Sequence, residues 1–388
     1  MTSTRPRICV DLTPNEMHDR FGGIGRYATH LCRELALLDE DTRGGAEIYG
    51  LATSVGRPEP AREALERSAA LGAPVHTEWH RLRRTFVSGS RLRAGGIDLF
   101  HSTQPFALPL VRSGKCVMTS YDLISIVLPR PGGASTERRW AQARALVRYR
   151  MPDHIVAISD CTKRDIVREL RIAPEKITTV HLGVDTAQFA PESDSREARA
   201  VLDRLRLPPR FFVFVSSDHY RKNHELLFRA WLRVADEIPE ALVLVGKEMY
   251  TETFRRIDAE VRARGLAGRV LWRDGVTDAE LPNVYRAATA LCNPSLYEGF
   301  GMTILEAMGA GSPVAASRNG AHEEVGLDAC LYFDPTSEGE LAARLAELSR
   351  DGELRTRLRE KGFARARQLS WSAMARATMH VYRRLLAF

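Results

Sequence analysis

Residues 294–308 read Pro294-Ser295-Leu296-Tyr297-Glu298-Gly299-Phe300-Gly301-Met302-Thr303-Ile304-Leu305-Glu306-Ala307-Met308. The apolar run Ala290 to Asn293 ahead of them predicts a strand, and Met302 to Ala310 a helix. The loop between holds Gly299 and Gly301, residues that let backbone approach a ligand closely. A helix start offers unpaired N–H groups and a partial positive charge, which suits an anion. Glu298 stands in the loop and Glu306 in the helix. An acid beside a phosphate repels it, so both carboxylates are expected to take hydroxyl hydrogen bonds instead, which are strong when the acceptor is charged. Phosphate and ring hydroxyls in one site point to a nucleotide sugar. A plain turn with two surface glutamates is the bland alternative, and it leaves the joint occurrence of loop, helix start and both acids unexplained.

Outward from this stretch the chain alternates short β-branched runs with amphipathic helical stretches, the mark of parallel α/β architecture. Strands are expected at Arg7 to Asp11, Asp98 to His101, Lys115 to Ser120, His154 to Ser159 and Ile177 to His181. Helices are expected at Gly25 to Leu38, Trp140 to Arg150 and Asp160 to Leu170. A polar break follows, placing a linker at about residues 186–208. The alternation restarts with strands at Phe211 to Val215, Leu242 to Gly246, Val270 to Trp272, Ala290 to Asn293 and Pro313 to Ser317. Helices lie between them, and two more, about 337–350 and 371–386, close the chain. The fold class is therefore α/β, with two doubly wound parallel sheets, whose ligands bind at the strands' carboxyl ends. Two such sheets facing each other would put the site in a cleft.

At 388 residues the chain suits two domains rather than one core. The 44% hydrophobic and 27% charged content is that of a globular protein. No apolar run approaches the roughly 20 residues that span a bilayer. Met1 to Arg7 is polar and lacks a signal-type apolar region, so a cytoplasmic protein is expected. Cys9, Cys32, Cys116, Cys161, Cys292 and Cys330 form no Cys-x-x-Cys pair and read as buried thiols. The net charge of +7 favours an anionic partner. Basic clusters occur at Arg81, Arg83, Arg84, Arg91 and Arg93, and at Arg138, Arg139, Arg144, Arg148 and Arg150. They suit a solvated face, an anionic membrane surface or a phosphate-bearing acceptor. Without interleaved stacking aromatics they do not suit nucleic acid.

Three further motifs bear on chemistry. Arg221-Lys222-Asn223-His224 follows the strand Phe211 to Val215, where a cation can neutralise a departing diphosphate. Gly22-Gly23-Ile24-Gly25-Arg26-Tyr27 opens the first helix and partly fits the dinucleotide fingerprint. That fingerprint should follow its strand directly and meet an acid on the next; here Thr13 to Phe21 intervene and no acid follows Ile48-Tyr49, so NAD is disfavoured. Thr119-Ser120-Tyr121-Asp122 ends a strand, and Asp122 there reads equally well as a helix cap. No His-rich cluster points to a metal, and no cofactor beyond the donor substrate is expected.

With these motifs the chain resembles the retaining glycosyltransferases of the family-four, group 1 type, which have the GT-B fold of two Rossmann-like domains. Their signature is a Glu, seven residues and a second Glu within Pro-Ser-x-x-Glu-Gly-Phe-Gly, and Glu298 and Glu306 match it. The resemblance implies that Glu298 binds donor-sugar hydroxyls and that N–H groups from Phe300, Gly301, Met302 and Thr303, beside Gly299, hold sugar and diphosphate. It implies Glu306 at the ribose, backbone near Val276 at the base, and Lys222 as the diphosphate cation, with Arg221 beside it. Many relatives carry a further Arg shortly before this motif, where this chain has Ser216-Ser217. Gly23 matches the family's glycine loop at the diphosphate. Relatives have His-Asp where this chain has Tyr121-Asp122, and a phenol cannot replace an imidazole as acid or base near neutral pH.

The family's organisation implies an acceptor-binding domain over 1–190, a donor-binding domain over 205–370, and a helix over 371–388 crossing back to the first. The motif variants look most like bacterial mannosyl- and deoxysugar transferases of surface-polysaccharide assembly. GDP-mannose is the first donor expected, then UDP- and dTDP-sugars. The expected acceptor is a glycan or polyprenyl-linked glycan at the inner membrane face, with the protein peripheral there. Two rivals stand beside this reading: a two-domain epimerase or phosphorolytic enzyme, and a non-catalytic nucleotide-sugar-binding protein.

Overall fold

The computed structural model describes residues 5–16, 23–51, 58–70, 90–105, 108–109, 114–128, 135–190, 195–217, 219–246 and 252–388. It divides into two compact units, Met1–Gly183 with Trp371–Phe388, and Val184–Ser370. The division thus falls ahead of the expected break at 186–208. Val184 and Phe189 are buried, Val184 N–H donates to the Leu369 carbonyl, and Ser195–Arg204 is helical, so this stretch is packed structure.

In the first unit β1 (Arg7–Asp11), β2 (Glu47–Leu51), β3 (Pro58–Pro60), β4 (Leu99–Ser102), β5 (Lys115–Ser120), β6 (His154–Ala157) and β7 (Ile177–Thr179) form one sheet. Its order is β3-β2-β1-β4-β5-β6-β7. Pairing is parallel except at β3, whose two prolines suit an edge. Every residue of β4 and β6 is buried, as expected of strands covered on both faces. The helix α1 (Gly23–Leu37) buries Tyr27, Leu31 and Leu35, one stripe at a spacing of four.

The helix Trp371–Leu386 belongs to this unit. Trp371 stacks on His30 at 4.5 Å between centroids. The Tyr382 hydroxyl bonds His101 Nδ1, and His101 Nε2 lies 2.7 Å from Thr119 Oγ1. Tyr27 reaches the same Thr119 oxygen at 2.8 Å. Burial lowers the His101 pKa to about 3, so the ring is a neutral structural node.

In the second unit β8 (Phe211–Val215), β9 (Ala241–Val245), β10 (Val270–Arg273), β11 (Ala290–Asn293), β12 (Val314–Ser317) and β13 (Cys330–Phe333) form a fully parallel sheet ordered β10-β9-β8-β11-β12-β13. Phe212, Phe214, Trp231, Leu227, Leu244 and Leu345 share one core cluster. Glu240, fully buried at the start of β9, is satisfied by Arg210 at 2.5 Å and by the Ser349 hydroxyl at 2.6 Å, and its role is structural.

Connectivity, more than packing, positions the site. Strand β8 sits between β9 and β11, so the chain leaves β8 and β11 towards opposite sides of the sheet. The crevice outside their carboxyl ends is where open α/β sheets take ligands. The described residues that emerge there are Ser216, Ser217 and His219 to Asn223 from β8 and Pro294 to Gly301 from β11.

Candidate active site

The turn after β8 is a short 3-10 segment, Tyr220–Lys222, ended by Asn223 at φ 55°. A left-handed backbone is tolerable for asparagine, whose short side chain bonds locally. Asn223 Nδ2 donates to the carbonyls of Pro335 at 2.8 Å and Pro294 at 3.3 Å. Leu296 N–H donates to the Arg221 carbonyl at 2.7 Å. These bonds lash the β8 turn to the β11 loop and bring three charged side chains together.

Glu298 lies at their centre. Lys222 Nζ donates to its Oε1 at 2.6 Å and Arg221 Nη1 to its Oε2 at 2.5 Å. The Ser295 hydroxyl also lies 2.8 Å from Oε1. All three side chains are largely shielded, with 10% of Lys222, 22% of Arg221 and 11% of Glu298 exposed. Burial alone would raise the Glu298 pKa, but the Lys222 and Arg221 charges outweigh it and hold the carboxyl at about 2. Each carboxylate oxygen has two lone pairs. Lys222 occupies one of those of Oε1 and Arg221 one of Oε2, while the single Ser295 proton lies within reach of both Oε1 and Asn293 Oδ1 at 2.7 Å, so a lone pair of Oε2 stays open to a ligand hydroxyl. One acid against two bases leaves the cluster net positive.

Beside it starts the helix Met302–Ala310, with no capping side chain and no acid in its first turn. Gly301 precedes it at φ 117°, and a Cβ there would meet His322 Cδ2 at 3.2 Å. Only glycine combines that backbone with that approach. Asn293 Nδ2 reaches Thr303 Oγ1 at 3.1 Å and fixes the helix start over the end of β11. A net-positive pair of bases beside an open helix start can hold a pyrophosphate, while the bound carboxylate takes a hydroxyl.

Comparison with known proteins gives the family. Residues 200–365 match the family model "Glycosyl transferases group 1", and residues 21–188 match "Glycosyltransferase Family 4". The chain belongs to the GT-B glycosyltransferases of group 1. It is 28% identical to the MMP alpha-(1->4)-mannosyltransferase of Mycolicibacterium hassiacum over 94% of this chain and 95% of that one. It is 28% identical to the O-antigen chain mannosyltransferase B of Escherichia coli over 94% and 96%. Its fold matches the sucrose-phosphate synthase of Thermosynechococcus elongatus with a TM-score of 0.73 at 20% identity, covering 99% and 100% of the two chains.

In this glycosyltransferase the residues singled out from sequence divide between the units. Arg221, Lys222, Glu298, Gly299, Phe300, Gly301, Met302 and Thr303 gather at the β8–β11 crevice. Val276 follows β10 on the same carboxyl edge and is half-buried. Glu306 is 1% exposed, and its Oε2 accepts from Tyr285 at 3.3 Å. Gly23, Tyr121 and Asp122 belong to the first unit. Gly23 is the exposed first residue of α1. Tyr121 donates to the Thr103 carbonyl at 2.7 Å and meets Tyr27 edge-on. Asp122 Oδ1 accepts from Ile124 N–H at 3.0 Å, a local turn ahead of the short helix Ile124–Val127, whose cap position is Leu123 and not Asp122.

Sequence reasoning missed His322. It is fully buried, and its Nδ1 lies 3.1 Å from the Ser317 carbonyl and 3.2 Å from the Ser317 hydroxyl. That hydroxyl spends its one proton on the Ser295 carbonyl at 2.5 Å, so Nδ1 carries the ring proton and donates. Burial lowers the pKa to about 4, against the pull of Glu298, so the ring is neutral. Nε2 therefore presents a lone pair, with no hydrogen-bond partner among the described residues, next to Gly301. No motif marks a lone histidine; only the coordinates show where its far nitrogen points.

Proposed function

We propose that this glycosyltransferase transfers mannose, with retention, from a nucleotide-sugar donor to a glycan or lipid-linked acceptor in bacterial surface-polysaccharide assembly. The observation that carries the donor half is Glu298 held between Lys222 and Arg221 beside the uncapped Met302 helix start. The sugar rests on the mannosyltransferases to which the chain is similar end to end. GDP-mannose is the donor to try first.

The diphosphate takes the N–H groups of Met302 and Thr303, and Lys222 and Arg221 stabilise its charge as the sugar departs. Glu298 Oε2 accepts a sugar hydroxyl through its remaining lone pair. It is a poor nucleophile, since two cations already hold its charge. With no other nucleophile assigned, attack comes from the leaving-group face, and the departing phosphate takes the acceptor proton. Glu306 binds the ribose and the backbone at Val276 the base. Gly23, Tyr121 and Asp122 keep the donor-side roles that the family resemblance implies, and the first unit receives the acceptor. Its expected setting is the inner face of an anionic membrane.

His322 Nε2 accepts a second hydroxyl of the donor sugar. Losing one such bond costs roughly tenfold in affinity. The variant His322→Leu is expected to raise the donor KM by that factor with a smaller change in kcat, and an unchanged KM would remove the role.

The test of the whole reading is a thermal-shift screen against GDP-, UDP- and dTDP-sugars. A ligand at a hundredfold excess over its Kd adds about 2.7 kcal/mol. GDP-mannose is expected to raise the melting temperature most. A preference for another sugar nucleotide would move the donor assignment, and no shift with any of them would end the reading.

A further inference from the structure

The helix Ser135–Arg150 carries an arrangement that glycosyl transfer does not use. One side is anchored: Tyr149 is buried, Ala141, Ala145 and Leu146 pack against the first unit's core, and Gln142 Nε2 donates to the Glu169 carbonyl at 2.7 Å. The other side is open. Trp140 is 71% exposed and Val147 65%, two of the largest apolar side chains left in water among the described residues. At about 100° per residue, Ala143, Val147 and Trp140 fall within about 60° of one another. They form one apolar strip along the outer face.

Arginines flank the strip. Arg139 and Arg150 lie along one margin and Arg144 along the other, all three exposed. None enters an ion pair among the described residues, whereas Arg138, turned the other way, pairs with Glu169 at 3.3 Å. Glu137 is the one acid of this helix. An indole between aliphatic neighbours, bordered by unpaired guanidinium groups, fits the boundary between lipid headgroups and acyl chains. The indole straddles that boundary, and the guanidinium groups meet lipid phosphates without leaving water. A protein partner would more typically place the arginines against carboxylates; here the strip is narrow, convex and lined by cations on both margins, which favours a fluid anionic surface.

We propose that this face seats the chain on an anionic lipid bilayer. Trp140 and Val147 enter the headgroup boundary, and Arg139, Arg144 and Arg150 bind the phosphates around them. The inference rests on the membrane setting proposed above and gives it a surface; it does not depend on the identity of the sugar.

The experiment is flotation of the full chain with phosphatidylcholine vesicles with and without phosphatidylglycerol, at low salt. Binding is expected only with phosphatidylglycerol. Each arginine near an anionic surface contributes about a fivefold gain in partitioning, so Arg139→Gln/Arg144→Gln/Arg150→Gln should lose about a hundredfold. Trp140→Ser/Val147→Ser should likewise release the chain. Brominated lipid should quench tryptophan emission in the wild type, and Trp140→Phe should keep binding while losing most of that quenching. The proposal is overturned by absence of vesicle binding, by equal binding to both lipid compositions, by wild-type binding of either multiple variant, or by binding without quenching. All these positions are exposed, and the shift in melting temperature with donor should be the same in every variant. Loss of that shift in the wild type would overturn the transferase reading and leave this one standing.

Discussion

Glu298→Gln is expected to lower turnover by about a thousandfold while tightening, or at least preserving, the binding of free nucleoside diphosphate. The amide cannot neutralise Lys222 and Arg221, both mostly shielded from water. It also loses the charged acceptor that grips the sugar hydroxyl. The two cations, freed from their carboxylate, turn wholly to phosphate. Removing one partner of a shielded ion pair typically destabilises by about 3–5 kcal/mol. The melting temperature of the ligand-free variant should therefore fall and recover when diphosphate is added. Acid should mimic the lesion. The Glu298 pKa is lowered from its ordinary 4.5 to about 2, so the cluster's stabilisation is complete above pH 4.5 and is lost as pH falls towards 2. Steady-state kinetics and calorimetry with GDP check the prediction, and near-normal turnover would contradict it.

Lys222→Ala should cost about a hundredfold to a thousandfold in turnover and should weaken diphosphate binding, the opposite sign to Glu298→Gln. Glu298 keeps Arg221 as its charged donor in this variant, so its carboxylate stays ionised and in place. What is lost is the buried ammonium that meets the departing charge. The opposed signs of the two affinities are the discriminating measurement. If both variants shift diphosphate affinity the same way, Lys222 serves chiefly to hold Glu298, and the cation for the leaving group must be sought elsewhere.

The strands that frame the site were legible because each is a compact apolar run: Phe211 to Val215 and Ala290 to Asn293 are nearly all buried. The loop after β11 was legible because its glycines and acids stand within a few residues of one another. Less visible was the helix Gly352–Gln368, which turns the expected pair of closing helices into three. It buries Leu358, Gly362 and Ala366, spaced four apart but mostly too small to register as an apolar stripe. Gly362 matters by what it lacks, since a Cβ there would press on Met308 at 3.2–3.3 Å. Strand β13 was missed because Cys330-Leu331-Tyr332-Phe333 is a short edge, half-exposed in its middle. The Lys222–Glu298 contact links residues 76 positions apart, and only the order of the strands makes them neighbours.

Because Tyr382 caps His101 and Trp371 stacks on His30, the first unit's interior is completed by residues translated after the whole of the second. The second unit is one uninterrupted stretch and can close as it leaves the ribosome. The first must wait, with a gap over Tyr27 and Thr119 where the missing helix belongs. The first unit, begun earliest in the chain, is therefore the last to be completed.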